Sequence, residues 1–286
     1  MIPTVVGNGL TPAGHQGVKS INALRRGMEV LQAIEDTSAA TFAELHQQTG
    51  LPKASLLRIL KTLRECGRIS YSQAQRRYMP STHGGSTDEA RDHWQDRLIS
   101  IAAPVCQALQ RRVPWPVDLA IRDGQAMLIL DALRAPTGFA VNYRALGFRP
   151  PMLLSSLGRC YLAFCPAAER EDLLTKLARS THQADIQARR PERIKRLLGH
   201  ASALGYAARD ASLTEADSAD RFGAISVPVR HGEAVAACIG ISWLPAVASE
   251  PQIVQAHLKA LRNAAAALEL QLGQAGLPAR GPLAAR

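Results

Sequence analysis

The most constraining feature of this sequence is the segment from Thr41 to Arg68, which predicts two short helices on either side of a tight turn. Thr41 followed by Glu44 has the spacing of a capping box and predicts a helix start. Gly50 is typical of a residue that ends a helix in the left-handed conformation. Pro52 suits the first turn of the next helix, where a missing N–H costs nothing. The segment therefore predicts a helix-turn-helix.

The second predicted helix has an apolar face and a cationic face. Its apolar face is predicted to consist of Leu56, Leu57, Leu60 and Leu63. The other residues suit a DNA major groove, whose phosphate walls favour Lys and Arg and whose base edges accept and donate hydrogen bonds. We expect base-edge contacts from Lys53, Ser55 and Arg58. We expect phosphate contacts from Lys61 and Arg64. The alternative is a solvated surface helix, which the capped helix and glycine turn before it make less favourable.

A hairpin and a further helix complete this unit. Apolar and polar residues alternate around Ile69, Tyr71 and Tyr78, which predicts two short strands. Such a hairpin after a recognition helix is a wing, and Arg76 and Arg77 near its tip are predicted to contact phosphate or a minor groove. Upstream, an amphipathic stripe is predicted to cover the two helices: Ile21, Leu24, Met28, Leu31 and Ile34.

The positive charge is concentrated in the same region. Between His15 and Pro80 there are ten Lys or Arg and five Asp or Glu, whereas the whole chain has a formal net charge of +10 and a pI near 9.8. This predicts a polyanionic partner, although nonspecific binding or an anionic membrane surface would also suit the charge. No apolar run approaches the roughly 18 residues that span a bilayer, and the first residues lack the pattern of a signal peptide. We therefore expect a cytoplasmic protein without membrane contact.

Cysteine and histidine provide no pattern for a metal or a cofactor. The cysteines contain no Cys-x-x-Cys pair and lie among apolar residues, which favours buried free thiols: Cys66, Cys106, Cys160, Cys165 and Cys238. The histidines lack metal-binding spacing. Cys160 and Cys165 leave open a redox function. A phosphate-binding loop is not indicated, because the segment GHQGVKS lacks the glycine that must directly precede the lysine. Acyl transfer is not indicated either, because Ser155 and Ser156 do not lie in the G-x-S-x-G motif of a nucleophile elbow. We expect a protein that is not an enzyme and needs no cofactor.

The length of 286 residues favours two domains. The predicted division is a disordered extension at 1–17, a winged helix-turn-helix at 18–80, a linker and linking helix at 81–112, an effector domain at 113–272 and a flexible tail at 273–286. The linking helix is predicted from Trp94 to Arg112, with a kink or boundary at Pro104.

The effector domain is predicted to be α+β. Hairpins are predicted with turns at 122–124 and 231–233. Helices are predicted at 154–164, 170–178, 191–204 and 252–272. Antiparallel hairpins with flanking helices indicate a layered, sensor-like fold.

The sequence resembles the IclR family of bacterial transcriptional regulators. The first unit does so through INALRRGMEVLQAI, FAELHQQTGLPKASLLRILKTLRECGRI and RYMP, and the resemblance continues through RLISIAAPVCQAL, LLSSLGRCYLAF and RFGAISVPVRHGEAVAACIGIS. It covers about residues 18–272. Within the family, the chain is most similar to the regulators of 3-(3-hydroxyphenyl)propionate catabolism. This similarity rests on the segments VPWPVDLAIRDGQAMLIL and LAFCP.

The resemblance implies a DNA-binding domain, a linking helix used in dimerisation and a GAF-like domain that binds a small organic acid. Family positions place the effector beside Ser156, Leu157, Gly158, Gly223, Gly240 and Ser242. Two departures stand out: this chain has Ser-Leu where some members have Gly-Ala at the helix start, and Gly240 lacks a hydroxyl and is expected to leave room for bulk. The family also has an acidic position in its pocket, and in this sequence that position corresponds to Thr214, Glu215 or Asp217.

Physical chemistry predicts a similar pocket. A helix that begins near Ser155 offers unpaired N–H groups and the positive end of its dipole to a carboxylate. An apolar, aromatic wall is predicted from Trp115, Met127, Phe139, Tyr143 and Met152, with Arg144 or Arg149 as a second anion contact. Each aromatic residue also fits an ordinary core position. These residues favour an aromatic or arylalkanoic acid over a small 2-oxo acid.

Together these predictions indicate a sequence-specific transcriptional regulator. A homodimer, or a tetramer of two dimers, would present two wings and two recognition helices to the half-sites of a pseudo-palindromic operator. An acid bound in the distal domain would then change the arrangement of the linking helices. The alternatives are a GAF-like cysteine redox enzyme and a nonspecific DNA-binding protein.

Overall fold

The computed structural model describes residues 21–37, 39–72, 76–80, 89–133, 148–210 and 222–278. Its elements form the predicted α+β fold: a helical unit with a small hairpin, followed by a five-stranded sheet with helices on both faces. The predicted disordered extension at 1–17 lies outside the described residues.

The first unit consists of α1 Asn22–Thr37, α2 Phe42–Thr49, α3 Lys53–Glu65, β1 Ile69–Ser72 and β2 Arg77–Pro80. The capping box is confirmed: Glu44 N donates to Thr41 Oγ1 at 3.2 Å, and Thr41 N donates to Glu44 Oε2 at 2.7 Å. Gly50 ends α2 with a φ of 64°, in the left-handed region that glycine adopts without strain. The predicted helix-turn-helix and its hairpin are both present.

Helix α1 covers the other two helices with only half of its apolar stripe. Leu31 and Ile34 are buried in the core of this unit, as predicted. Ile21, Leu24 and Met28 are instead 68%, 61% and 57% exposed. The prediction that the whole stripe covers the pair is therefore wrong for its first half. The 16-residue α1 is twice as long as the 8-residue α2, and its first two turns extend beyond the shared core.

The predicted linking helix is α4, which runs over Glu89–Gln110. It begins before Trp94 and continues through Pro104, so the expectation of a boundary at this proline is wrong. Trp94, Leu98 and Leu109 bury one side of α4 in the same core as the sheet that follows. This packing outweighs the cost of about 3 kcal/mol for proline inside a helix. Helix α4 is therefore part of the sheet's core and does not stand apart as a linker.

The sheet is antiparallel, with strand order β4-β3-β7-β6-β5. Its strands are β3 Val117–Asp123, β4 Ala126–Leu133, β5 Ala207–Ala208, β6 Gly223–His231 and β7 Ala234–Trp243. Both predicted hairpins are confirmed. Their turns contain Gly124 and Gly232, whose φ angles of 61° and 62° require the freedom of glycine.

Helices cover both faces of the sheet. They are α5 Ser156–Phe164, α6 Ala167–Arg179, α7 Pro191–Leu204 and α8 Glu250–Gln274, with a 3₁₀ helix at Gln183–Arg189. Helices α4 and α8 share one apolar core with the sheet, and α5 to α7 share a second core on its other side. Residues 273–278 depart from the predicted flexible tail: Leu277 is buried, and Trp94 Nε1 donates to Pro278 O at 3.0 Å.

Candidate functional site

Helix α3 presents the predicted DNA-contacting cations on its outer face. Leu56 and Leu60 are buried in the core of the first unit and so fix the orientation of the helix. Ser55 is half-buried beside them. The cations predicted to contact DNA from α3 are all exposed: Lys53, Arg58, Lys61 and Arg64. The packing of α3 thus produces a solvent-facing surface with several positive charges, which suits a polyanion.

Two of these cations form weak surface ion pairs. Lys61 Nζ lies 3.6 Å from Glu65 Oε1, and Arg64 Nη2 lies 3.8 Å from Asp96 Oδ1. All four side chains are about half exposed or more, so water screens the attraction and each pair contributes at most about 1 kcal/mol. Phosphate oxygens can replace these carboxylates at little cost.

Leu57 is turned outward with the cations, and the prediction that it belongs to the buried face is wrong. Its side chain is 54% exposed, whereas Leu56 is fully buried. A helix turns by about 100° per residue, so the position after a central core residue points away from the core. The run of leucines in the sequence hides this difference.

Arg77 joins the wing to α2. Its Nη1 donates to Ala39 O at 3.0 Å, and its two terminal nitrogens each lie 3.2 Å from an oxygen of Glu44. The backbone hydrogen bond from Thr41 and the charge of Arg77 hold the pKa of Glu44 below its usual value. Arg76 is exposed next to it, with a φ of 54°. Of the two arginines predicted to contact phosphate, Arg76 is thus the more available.

A cavity of about 50 Å³ lies between the start of α5 and strands β3, β6 and β7. Four predicted effector residues line it: Ser156, Leu157, Gly240 and Ser242. The lining also contains polar and aromatic residues that the sequence did not single out: Asp118, Phe148, Arg209, Phe222 and Ser226. Sheet alternation was a usable signal for Asp118, which is a polar residue between the apolar Val117 and Leu119 in strand β3.

The start of α5 offers hydrogen-bond donors to this cavity. Ser155 caps the helix, because its Oγ accepts from Gly158 N at 3.0 Å. No described residue accepts a hydrogen bond from the backbone N–H of Ser156 or Leu157. These two N–H groups lie at the positive end of the helix dipole, where a carboxylate is favoured.

Ser226 occupies the space that Gly240 leaves. The two residues are paired across β6 and β7, and a Cβ added at Gly240 would lie 2.5 Å from Ser226 Oγ. Ser226 Oγ is also 2.8 Å from Ser156 Oγ, and both residues are buried. The expectation that Gly240 leaves room for bulk is therefore wrong. The missing strand hydroxyl is supplied by the neighbouring strand, which sequence alone does not show because it depends on the register.

Several predicted residues lie away from the cavity. Among the residues that the structure describes, those outside its lining are Trp115, Met127, Met152, Gly158 and Gly223. Trp115 is buried on the opposite side of the sheet, with α4 and α8. Both methionines are fully buried in the core beneath α5. A Cβ at Gly158 would overlap the backbone of Met152, and one at Gly223 would overlap the Trp243 ring. These glycines permit close packing.

The second anion contact is also placed differently from the prediction. Arg149 forms an ion pair with Asp123 and donates to its backbone carbonyl at 3.0 Å. Arg209 lines the cavity instead, with its Cζ 4.0 Å from the centroid of the Phe222 ring. The remaining candidates lie outside the described residues: Phe139, Tyr143, Arg144, Thr214, Glu215 and Asp217.

Arg159 holds the start of α5 in place. It is 6% exposed, and its Nη2 donates to Asp210 Oδ2 at 2.6 Å. Its Nε donates to Leu153 O at 2.7 Å, and its Nη1 donates to Ala208 O at 3.1 Å. Burial lowers the pKa of Arg159, and Asp210 opposes this shift. The buried pair fixes α5 relative to β5, so the donors of the helix start stay aimed at the cavity.

The cysteines are free thiols, and four of the five are buried as predicted. The prediction of burial is wrong for Cys66, which is exposed at the C-terminal end of α3. Burial raises the pKa of Cys160 and raises that of Cys165 to about 12, so both thiols are protonated at neutral pH. Nucleophilic redox chemistry requires a thiolate, which this environment disfavours. Within the described ranges there is no cluster of potential metal ligands and no helix long and apolar enough to cross a membrane.

Comparisons with known proteins match both parts of the chain. Residues 23–72 match the profile of the IclR helix-turn-helix domain, and residues 94–270 match that of the bacterial transcriptional regulator IclR C-terminal domain. The chain is 26% identical over 201 residues to the HTH-type transcriptional regulator TsaQ1/TsaQ2 of Comamonas testosteroni. The matched region covers 69% of this chain and 70% of that protein.

Solved structures share the fold at low sequence identity. The Thermotoga maritima IclR structure has a TM-score of 0.55 and 21% identity, covering 88% of this chain and 99% of that one. An IclR homolog complexed with 4-hydroxybenzoate from Microbacterium hydrocarbonoxydans has a TM-score of 0.50 and 24% identity, covering 88% and 100%. The narrower resemblance to regulators of 3-(3-hydroxyphenyl)propionate catabolism gains no support from these matches and stays a prediction. Because the two family profiles together match most of its length, the chain belongs to the IclR family of DNA-binding bacterial transcriptional regulators.

Proposed function

We propose that this cytoplasmic regulator binds a pseudo-palindromic operator as a homodimer, and that a small aromatic or arylalkanoic acid controls the binding. The observation that carries the effector proposal is the pair of N–H groups, at Ser156 and Leu157, that have no acceptor among the described residues and lie beside a cavity lined by Arg209. Helix-start donors and a guanidinium are the groups that bind a carboxylate most strongly.

The rest of the cavity supports an aromatic group on the acid. Phe148, Phe222 and Ile129 supply apolar walls, and Asp118 and the serines supply polar groups that suit a phenol hydroxyl. The cavity of about 50 Å³ is smaller than the roughly 150 Å³ that holds benzene. An aromatic ring therefore enters only if Phe148 or Phe222 moves outward.

Two compounds are the best first candidates. One is 4-hydroxybenzoate, which is bound to the structural relative from Microbacterium hydrocarbonoxydans. The other is 3-(3-hydroxyphenyl)propionate, which the subgroup resemblance indicates. Both combine a carboxylate with a phenol ring, and both groups suit the residues that line the cavity.

On the DNA side, the proposal assigns different roles to the exposed residues. Lys53, Ser55 and Arg58 contact base edges from the first two turns of α3, which enter the major groove. Phosphate contacts come from residues farther from the helix start and from the wing: Lys61, Arg64, Arg76 and Arg77. The engagement of Arg77 with Glu44 means that its phosphate contact requires partial exchange of an existing ion pair.

The exposed half of the α1 stripe supports a homodimer. Leu24 and Met28 on α1, and Ile21 directly before it, are each more than half exposed. Such a row of apolar side chains in a basic unit is better explained by a second copy than by solvent. Leu24→Glu should therefore shift the protein toward monomers in sedimentation velocity. A wild-type species that sediments faster than the dimer would indicate that two dimers pair.

Calorimetry tests the effector proposal. We expect stoichiometric heat from 4-hydroxybenzoate or 3-(3-hydroxyphenyl)propionate and none from a small 2-oxo acid such as pyruvate. Arg209→Gln should weaken acid binding at least about tenfold, as expected for a lost charge-assisted contact. Arg179→Gln is the matched control, because Arg179 is exposed on α6 away from the cavity. Heat from pyruvate alone would reject the aromatic proposal, and turnover of a bound acid would favour an enzyme.

DNA binding is tested with duplexes selected from a random pool. Wild type should prefer the selected duplex over random sequence, Arg58→Ala should reduce this preference, and Arg76→Ala should weaken all duplexes and flatten the salt dependence. An unchanged footprint for Arg58→Ala would contradict the assigned roles. Equal affinity for every duplex, with or without acid, would instead indicate a nonspecific DNA-binding protein.

A further inference from the structure

Leu57 is an apolar side chain at the centre of a cationic surface. Within α3, all of whose residues are described, it is the one large apolar side chain that is exposed, at 54%. Residues three or four positions apart in a helix are neighbours on its surface. Lys53 therefore lies one turn before Leu57 and Lys61 one turn after it, and Arg58 is adjacent. All three cations are exposed.

The core of the first unit does not need Leu57. Leu56 and Leu60 already fill the position of α3 in that core, and Leu63 packs partly against it. Because more than half of Leu57 is exposed, a polar residue at position 57 would cost little packing. An exposed leucine at this one position therefore points to a contact that forms only in a complex.

The surrounding charges favour nucleic acid as the partner. Three cations within one turn of Leu57 would have to lose their water against an apolar protein surface, which is costly for charged groups. Against DNA, the same cations meet phosphates. The major groove also presents one apolar group among its hydrogen-bonding edges, the 5-methyl group of thymine.

We propose that Leu57 contacts the 5-methyl group of a thymine in each operator half-site and so determines the preference for thymine at that position. The inference rests on the proposed insertion of α3 into the major groove. Ala54, one turn earlier on the same exposed face, is too small to hold the helix away from the base edges. Leu57 thereby adds an apolar specificity contact to the polar contacts proposed for Lys53 and Arg58.

Uracil in place of thymine isolates the methyl group, because the two bases differ only in that group. The operator is first selected from a random duplex pool with the full-length wild-type protein. Each thymine of the selected duplex is then replaced by deoxyuridine, symmetrically in both half-sites. Burial of one methyl is worth about 0.8 kcal/mol, which is about fourfold in Kd per half-site. We expect one thymine position at which the symmetric replacement removes two such contacts and weakens wild-type binding about fifteenfold in Kd.

Three variants assign the effect to the side chain. Leu57→Ala should bind the thymine and uracil duplexes equally at that position, while its affinity for random duplex stays within about twofold of wild type. Leu57→Met, which keeps a long apolar side chain, should retain most of the thymine preference. Leu270→Ala makes the same substitution at a leucine that is 64% exposed on α8, and it should behave as wild type. Alanine is a good helix former, so α3 stays intact.

The outcomes separate this inference from the one on which it rests. If wild type selects a consensus but every uracil substitution affects wild type and Leu57→Ala equally, Leu57 does not read thymine, and the operator proposal survives. If wild type selects no consensus at all, the insertion of α3 into the groove is wrong, and the role of Leu57 is lost with it.

Discussion

Gly240 and Ser226 share one space in the sheet, and we expect substitutions at the two positions to be strongly coupled. A methyl group at Gly240 would lie 2.5 Å from Ser226 Oγ and 3.0 Å from Ile225 O. Ser226 then either stays, at an overpacking cost of about 1–3 kcal/mol, or rotates away from Ser156 at a similar cost for unpaired hydroxyls. Alanine regains roughly 0.5–1 kcal/mol over glycine in a strand. Gly240→Ala should therefore lower the free energy of unfolding by about 1–2 kcal/mol.

The second substitution removes the shorter of these two contacts. Ser226→Ala alone loses the 2.8 Å hydrogen bond to Ser156 and should cost about 1–3 kcal/mol. In the double variant the 2.5 Å contact with the hydroxyl is gone and the 3.0 Å approach to Ile225 O remains, so Gly240→Ala adds less cost than it does beside Ser226. We expect the double variant to be at least about 1 kcal/mol more stable than the sum of the single effects predicts.

Urea unfolding followed by tryptophan fluorescence measures this coupling. The three tryptophans all lie in the core between the sheet and helices α4 and α8, so their signal reports on this part of the chain: Trp94, Trp115 and Trp243. Wild type, both single variants and the double variant complete the cycle. Effects that add to within about 0.5 kcal/mol would refute the shared space, because independent sites behave in that way.

Three further predictions test the helix packing, the wing and the thiols. Gly158→Ala should lower the melting temperature, because its Cβ would overlap a neighbouring backbone, whereas Gly199→Ala has open space in α7 and should raise stability by about 0.4–1 kcal/mol. Arg77→Ala should destabilise the first unit by up to about 1 kcal/mol in a thermal melt, since its ion pair with Glu44 is partly exposed, and no change would show that the pair contributes nothing. Iodoacetamide should label only Cys66 in the native protein at neutral pH, and mass spectrometry showing a second rapidly labelled thiol would contradict the burial of the other four.

Short-range features of this protein were predictable from its sequence. The capping box joins residues three positions apart, and Gly50 ends its helix through its own backbone conformation. The hairpin turns at Gly124 and Gly232 depend in the same way on a few consecutive residues. Apolar periodicity also located most of the helices and strands, because each element must bury one face.

The same periodicity failed where burial depends on what lies opposite. The sequence pattern places Leu57 with its neighbouring leucines and places all of the α1 stripe in one core. Only packing shows that Leu57 and Met28 are exposed, because the extent of the covering helices is not encoded in either residue's own surroundings.

The sequence by itself determined the fold class, the two helices of the DNA-binding motif and the helix start beside the candidate effector cavity. The tertiary structure decided which side chains meet there. Ser156 and Ser226 are 70 positions apart, and Arg159 and Asp210 are 51 apart. Contacts over such separations depend on strand register and on how helices pack on the sheet, which are set by the whole core and not by local propensity.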